Sequence, residues 1–214
     1  MHKTIQNLID IQKKIELSLD TLKIDKVPKI IAVSKTFEMD KISPLIEHGH
    51  LDFGENKVQE AIEKWRDVKS NNNNIKLHLI GGLQTNKVKL AVKLFDYIHS
   101  VDTEKLAKKI SDEQKKQKKK VKIFIQVNIG NEEQKNGIDV KNLSEFYKIC
   151  TKEFKLDIIG LMCLPPNNDT TSFYFTEMMK LTKEFNFKEL SLGMSNDYLD
   201  AVNYGSTFIR IGSK

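Results

Sequence analysis

The sequence predicts an α/β protein: a closed parallel (β/α)8 barrel with one extra helix at its N-terminus. Two observations carry this. Short apolar runs alternate with helical patterns without exception, and eight such runs can be counted along the 214 residues. Polar or glycine-rich residues follow nearly every run, as expected where all strand ends converge on one mouth. Eight repeats in this length lie near the lower end of the size range for such a barrel. A doubly wound open sheet is the alternative, but it would string its strand ends along an edge and bind ligand at a switch point. No linker rich in Pro, Gly or Ser divides the chain, so residues 1–214 are expected to form a single domain.

Each element has its own signal. Residues 1–20 place Ile5, Leu8, Ile9, Ile15 and Leu19 at helical intervals among polar side chains, which predicts an amphipathic helix rather than a signal peptide. The first strand spans residues 29–34 and delivers Lys35 to its carboxyl end. Further strands are expected at residues 51–54, 76–80, 97–101, 121–127, 157–161, 189–192 and 207–211. Helices are expected between them at residues 40–48, 58–68, 86–95, 103–116, 141–152, 171–185 and 197–204. The asparagine tract at 71–74 precedes the third strand and reads as a solvated loop on the opposite rim.

Composition excludes several classes. The net charge of +6 comes almost wholly from lysine, 33 residues against two arginines, dispersed along helix faces. The one dense basic run, Lys115-Lys116-Gln117-Lys118-Lys119-Lys120, falls where a helix should end and complements its dipole; no aromatic residues interleave it, so nucleic acid is not expected as a partner. No stretch reaches the roughly 18 consecutive apolar residues of a membrane span. Cys150 and Cys163 lack CxxC spacing, and a reducing cytoplasm is the expected compartment.

Six strand ends carry candidate chemistry. Lys35, at the mouth of a buried sheet, is expected to be partly desolvated, with its amine available as a nucleophile. After the seventh strand comes Gly193-Met194-Ser195-Asn196-Asp197 and after the eighth Gly212-Ser213, the two loops where such barrels frequently hold phosphate. Ser195 alone would read equally as a helix cap. Arg210 is one of two arginines and sits inside the last strand, which suits a fixed acceptor; a carboxylate partner is the alternative. Asn56, Gln84, Asn86 and Asn128 add neutral amides, while no carboxylate pair for glycoside cleavage stands out. His48 and His50 lack further ligands at metal spacing, and His78 points either into the barrel or toward the helices. One amine, one arginine and several amides suit a planar polar ligand with an anionic tail.

Ala32-Val33-Ser34-Lys35-Thr36, Phe53-Gly54-Glu55-Asn56-Lys57-Val58-Gln59-Glu60, His78-Leu79-Ile80-Gly81 with Leu83-Gln84-Thr85-Asn86-Lys87, and Leu192-Gly193-Met194-Ser195-Asn196-Asp197 leading to Phe208-Ile209-Arg210-Ile211-Gly212 occur together and in this order. In these segments the chain resembles the pyridoxal phosphate (PLP) homeostasis proteins, also called the proline-synthetase co-transcribed family, over nearly its whole length. The resemblance implies a TIM-type barrel similar to the N-terminal domain of alanine racemase, the fold-type III group of PLP proteins. It implies that Lys35 holds PLP as a Schiff base, that Arg210 faces the pyridine nitrogen, and that Ser195 with the backbone around Gly212 and Ser213 holds the phosphate. It places Asn56 near the ring hydroxyl and Met194 near the cofactor. An arginine at the ring nitrogen favours an unprotonated pyridine and weakens the electron sink that carbanion chemistry needs. Alanine racemase also takes a catalytic tyrosine from a C-terminal domain, for which this sequence has no residues left over. The expected function is therefore a PLP carrier, monomeric, that serves PLP-dependent apoenzymes. A PLP-dependent amino-acid racemase or lyase is the second expectation, and a PLP-free Schiff-base barrel of the aldolase type the third.

Overall fold

The computed structural model describes residues 1–23, 26–166 and 171–212. Eight parallel strands close into a barrel in sequential order: β1 (Lys29–Val33), β2 (Asp52–Glu55), β3 (Lys76–Leu79), β4 (Tyr97–Val101), β5 (Lys122–Val127), β6 (Asp157–Cys163), β7 (Glu189–Met194) and β8 (Phe208–Ile211). The seam is formed by β1 and β8, with Lys29 opposite Phe208 and Ile31 opposite Arg210. The expected (β/α)8 barrel is therefore present, and an open sheet is not. Helices α2 (Met39–Glu47), α3 (Val58–Asn71), α4 (Val88–Leu94), α5 (Glu104–Gln117), α6 (Leu143–Lys148), α7 (Thr171–Glu184) and α8 (Tyr198–Asn203) come after the strands in turn, and α1 (Lys3–Leu22) precedes them.

Alternation along the strands sorts side chains to two faces. Phe53, Leu77, Leu79, Ile98, Ile123, Ile125, Leu161, Leu190 and Leu192 belong to the main core between barrel and helices. Ile31, Tyr97, Phe124, Met162 and Phe208 form a separate cluster. Helix α1 buries Leu8, Ile11, Ile15 and Leu19 against Ile30, Ile209 and Ile211 of the barrel wall and Tyr198 and Val202 of α8, so it covers the seam. At the usual ~25 cal/mol per Å² of apolar surface, such a row of four large side chains is worth several kcal/mol.

Four expectations are corrected in detail. Strand β7 runs through Gly193 to Met194, which the sequence placed in a loop, because Met194 pairs with Arg210 after the register shifts beyond Ser191. The helix expected at 86–95 begins as a 3-10 turn (Thr85–Lys87), and that at 141–152 ends in a π-helical turn (Ile149–Glu153), with the Phe154 N–H donating to the Ile149 carbonyl. In the basic run, Lys115 and Lys116 do lie in the last turn of α5, but Lys119 donates to the Lys93 and Phe95 carbonyls at the end of α4. Partial burial there pulls its amine down to about 8. Among the described residues no helix is long and apolar enough to cross a membrane.

Candidate cofactor-binding site

A cavity of about 560 Å³ opens at the carboxyl ends of the strands, within the range of small-molecule sites. It brings together Lys35, Asn56, Met194, Ser195, Arg210 and Gly212, all the candidates that fall on described residues; Ser213 lies outside them. A second, largely apolar cavity of about 390 Å³ lies behind β1 between α1 and α2, and neither Lys35 nor Arg210 lines it.

Lys35 sits in the turn after β1 and is exposed, so the desolvation expected of it is absent: the chain leaves the barrel one residue before it. What is buried is its anchor. The Ser34 N–H donates to the Gly54 carbonyl (2.9 Å) and its hydroxyl to Glu55 Oε1 (2.7 Å). Lys64 Nζ donates to the Ser34 carbonyl (2.6 Å) and to Glu55 Oε1 (3.0 Å), and Trp65 Nε1 donates to the same oxygen (2.9 Å). Glu55 is completely buried and its Oε2 has no partner among the described residues. Sequence reasoning passed over this ion pair. The available signal was a glutamate ending an apolar strand, with Lys64 and Trp65 adjacent on the next helix.

Arg210 is 4% exposed and donates through NH1 to Ser191 Oγ (2.7 Å) and through NH2 to the Cys163 carbonyl (2.9 Å). Its partners are neutral, so the carboxylate alternative is set aside. Burial lowers its pKa to about 10, which leaves it charged at neutral pH. The Ser195 hydroxyl accepts from the Gly212 N–H (3.2 Å) and joins the last two loops. The capping position of α8 is held by Asp197, not by Ser195, which stands three residues before the helix starts, and the Asp197 carboxylate accepts from the Met194 N–H (2.6 Å). Gly193 at φ +90° makes the bend, and a Cβ there would lie 2.6 Å from Ala201 Cβ.

Of the four expected amides only Asn56 lines the cavity. Gln84 and Asn86 are exposed, and Asn128 turns into its own loop, donating to the Glu132 carbonyl (2.9 Å). Gln126 and Asn136 take their place, with Gln126 Nε2 donating to the Asn136 carbonyl (3.0 Å). Gly81 packs its backbone so closely on Asn56 that a Cβ would lie 2.3 Å from the Asn56 carbonyl oxygen. His78 faces the barrel interior, and His50 stays outside the cavity, its Nε2 donating to the Asp52 carbonyl (2.9 Å).

Residues 10–214 match the family described as alanine racemase, N-terminal domain. The pyridoxal phosphate homeostasis protein of Pasteurella multocida is 34% identical, over 97% of this chain and 94% of that one. The chain belongs to the pyridoxal phosphate homeostasis protein family. The Escherichia coli K12 member is 32% identical over 100% of this chain and 95% of its own. PipY of Synechococcus elongatus PCC7942, 32% identical, has been solved without PLP (TM-score 0.83) and with PLP bound (TM-score 0.78), each covering 93% of this chain and 98% of PipY. Alanine racemase from Corynebacterium glutamicum, at 15% identity and TM-score 0.67, shares the barrel; the match covers 54% of that enzyme.

Proposed function

We propose that this protein binds PLP in the barrel-mouth cavity and serves PLP homeostasis by holding and releasing the cofactor. The observation that carries the reading is the donor set: one cavity collects an amine, a guanidinium, a serine hydroxyl and a backbone N–H, the partners that a carbonyl, a ring nitrogen and a phosphate require. Lys35 would supply the covalent link, Arg210 the donor to the ring nitrogen, and Ser195 with Gly212 and Ser213 the phosphate contacts. Asn56 would meet the ring hydroxyl and Met194 would cover the ring. Bound PLP supplies an aldehyde that condenses with amines and a ring that withdraws electrons.

The chain's own residues limit the chemistry available. Arg210, with a pKa of about 10, keeps its protons and offers a hydrogen bond where catalysis would want a proton on the ring. Among the described residues lining the cavity there is no histidine, tyrosine or glutamate, and the only carboxylate, Asp197, accepts from the Met194 N–H. Beside the Lys35 amine itself, a racemase needs a second placed acid or base to move the α-proton between the two faces. This favours a carrier; that it acts as a monomer and serves PLP-dependent apoenzymes as recipients belongs to the same proposal.

The test is a visible spectrum and intact mass before and after borohydride reduction. One equivalent of PLP is expected to be fixed at Lys35, and Lys35→Ala is expected to be colourless. Unchanged fixation in that variant overturns the site, and amino-acid turnover lost with Lys35 overturns the carrier role.

A further inference from the structure

The barrel interior holds a set of polar groups that the cavity does not account for. His78, His99 and Ser191 are 0% exposed and lie among Ile31, Phe124, Met162 and Phe208, where apolar side chains would normally fill the barrel. They are joined end to end. Arg210 NH1 lies 2.7 Å from Ser191 Oγ, and Ser191 Oγ lies 2.9 Å from His99 Nδ1. His99 Nε2 lies 3.0 Å from His78 Nδ1, and His78 Nε2 lies 2.9 Å from Asp52 Oδ1. We propose that Ser191, His99 and His78 are positioning residues for Arg210, forming a one-way chain of hydrogen bonds through the barrel that ties the guanidinium in the cavity to the Asp52 carboxylate at the amino end of β2.

The direction is fixed by the two ends. A guanidinium only donates and a carboxylate only accepts. Ser191 therefore accepts from Arg210 and has its own hydroxyl proton to give to His99 Nδ1. That leaves the proton of a neutral His99 on Nε2, where it is donated to His78 Nδ1. His78 in turn carries its proton on Nε2 and donates it to Asp52. Every link is satisfied once, with both imidazoles neutral. Burial holds His99 well below the ordinary histidine value, and burial also lowers His78 against the opposing pull of Asp52. The ring planes are clamped as well: His78 stacks on Tyr97 (4.2 Å, 10°) and His99 on Phe124 (4.3 Å, 22°). Ser191 thus cannot turn away from Arg210 without stranding a buried imidazole, and a buried unpaired group is costly. The guanidinium is held by Ser191 on one nitrogen and by the Cys163 carbonyl on the other, so its plane is set before any ligand arrives.

What Arg210 is positioned to meet rests on the PLP reading; that it is positioned does not. The test is therefore run on the free protein first, with ¹⁵N-labelled histidine and arginine. NMR is expected to show both imidazoles neutral with the proton on Nε2, and slowly exchanging Arg210 N–H groups. Ser191→Ala and Asp52→Ala are each expected to speed that exchange and weaken PLP retention by about tenfold, the scale of one lost buried hydrogen bond. Asp52→Asn keeps an acceptor on a partly exposed rim residue and is expected to restore both. Arg210 exchange unchanged in Ser191→Ala and Asp52→Ala, with only the melting temperature lowered, would show the chain to be packing and overturn the proposal. Faster exchange in a protein whose wild type takes up no PLP would uphold the positioning and sink the cofactor reading instead.

Discussion

Replacing Lys64 with methionine removes the cation paired with a carboxylate that water does not reach. Glu55 is 0% exposed and Lys64 14%, and the donors from Ser34, Lys64 and Trp65 all converge on its Oε1. In Lys64→Met two neutral donors remain, from Ser34 and Trp65, and the Ser34 carbonyl loses its 2.6 Å partner. Breaking a buried ion pair by removing one member costs about 3–5 kcal/mol. The expected loss is therefore about 4 kcal/mol, or a fall in melting temperature of roughly 10 °C for a chain of this size. Urea unfolding of wild type, Lys64→Met and the double variant Glu55→Gln/Lys64→Met measures this. The double variant, with no charge to strand, should recover most of the loss. A single variant within about 1 kcal/mol of wild type, or a double variant that recovers none of the loss, would refute the reasoning.

Two further outcomes are expected. Gly81→Ala puts a Cβ 2.3 Å from the Asn56 carbonyl oxygen, a backbone atom that no rotamer change can move. Destabilisation of about 1–3 kcal/mol should accompany weaker PLP uptake, and normal values of both in urea unfolding and PLP titration would contradict the close crossing. Stability should also fall below pH 6.5. His50, His78 and His99 are all lowered by burial, so the unfolded chain binds their protons first; their contribution is complete above about 6.5 and is lost as pH falls. Each adds up to about 1.4 kcal/mol per pH unit. His99→Phe should flatten the slope, and urea midpoints constant from pH 7 to 5 in the wild type would contradict neutral buried imidazoles.

The barrel was legible because its eight runs and intervening helices keep two different periods, and the site was legible because Lys35, Asn56, Ser195 and Arg210 each stand at the carboxyl end of a strand. The boundary error at Met194 has a physical origin: whether a residue after glycine continues a strand depends on its partner across the sheet, here Arg210. The interior chain was illegible for a related reason. Strands covered on both faces read as continuous apolar runs, so alternation does not say which way His78 in Leu77-His78-Leu79 points. Only register reveals it, by setting His78 opposite Gly54 and Tyr97. Glu55 was hidden differently: a charged residue at a strand end reads as rim, and only helix α3 folding back with Lys64 and Trp65 makes it core.

The two ends of the cavity are built in opposite ways, and the contrast bears on function. Arg210 is buried, bonded twice and backed by a chain of rings and hydroxyls, whereas Lys35 is exposed on a turn whose anchor, not its amine, is fixed. A catalyst gains from holding its covalent lysine in a dry, closed site where electrostatic effects are strong. A carrier must let its cargo go. On the PLP reading, the rigid part of this site recognises the ring and phosphate, and the covalent link sits where water or an incoming amine can reach it. Retention then depends on Arg210 and the phosphate loops, while the rate of release depends on access to Lys35. Ser191→Ala should accordingly act mainly on how much PLP is held, and substitution of Phe37, which is 41% exposed beside Lys35 in the cavity wall, mainly on how fast it leaves.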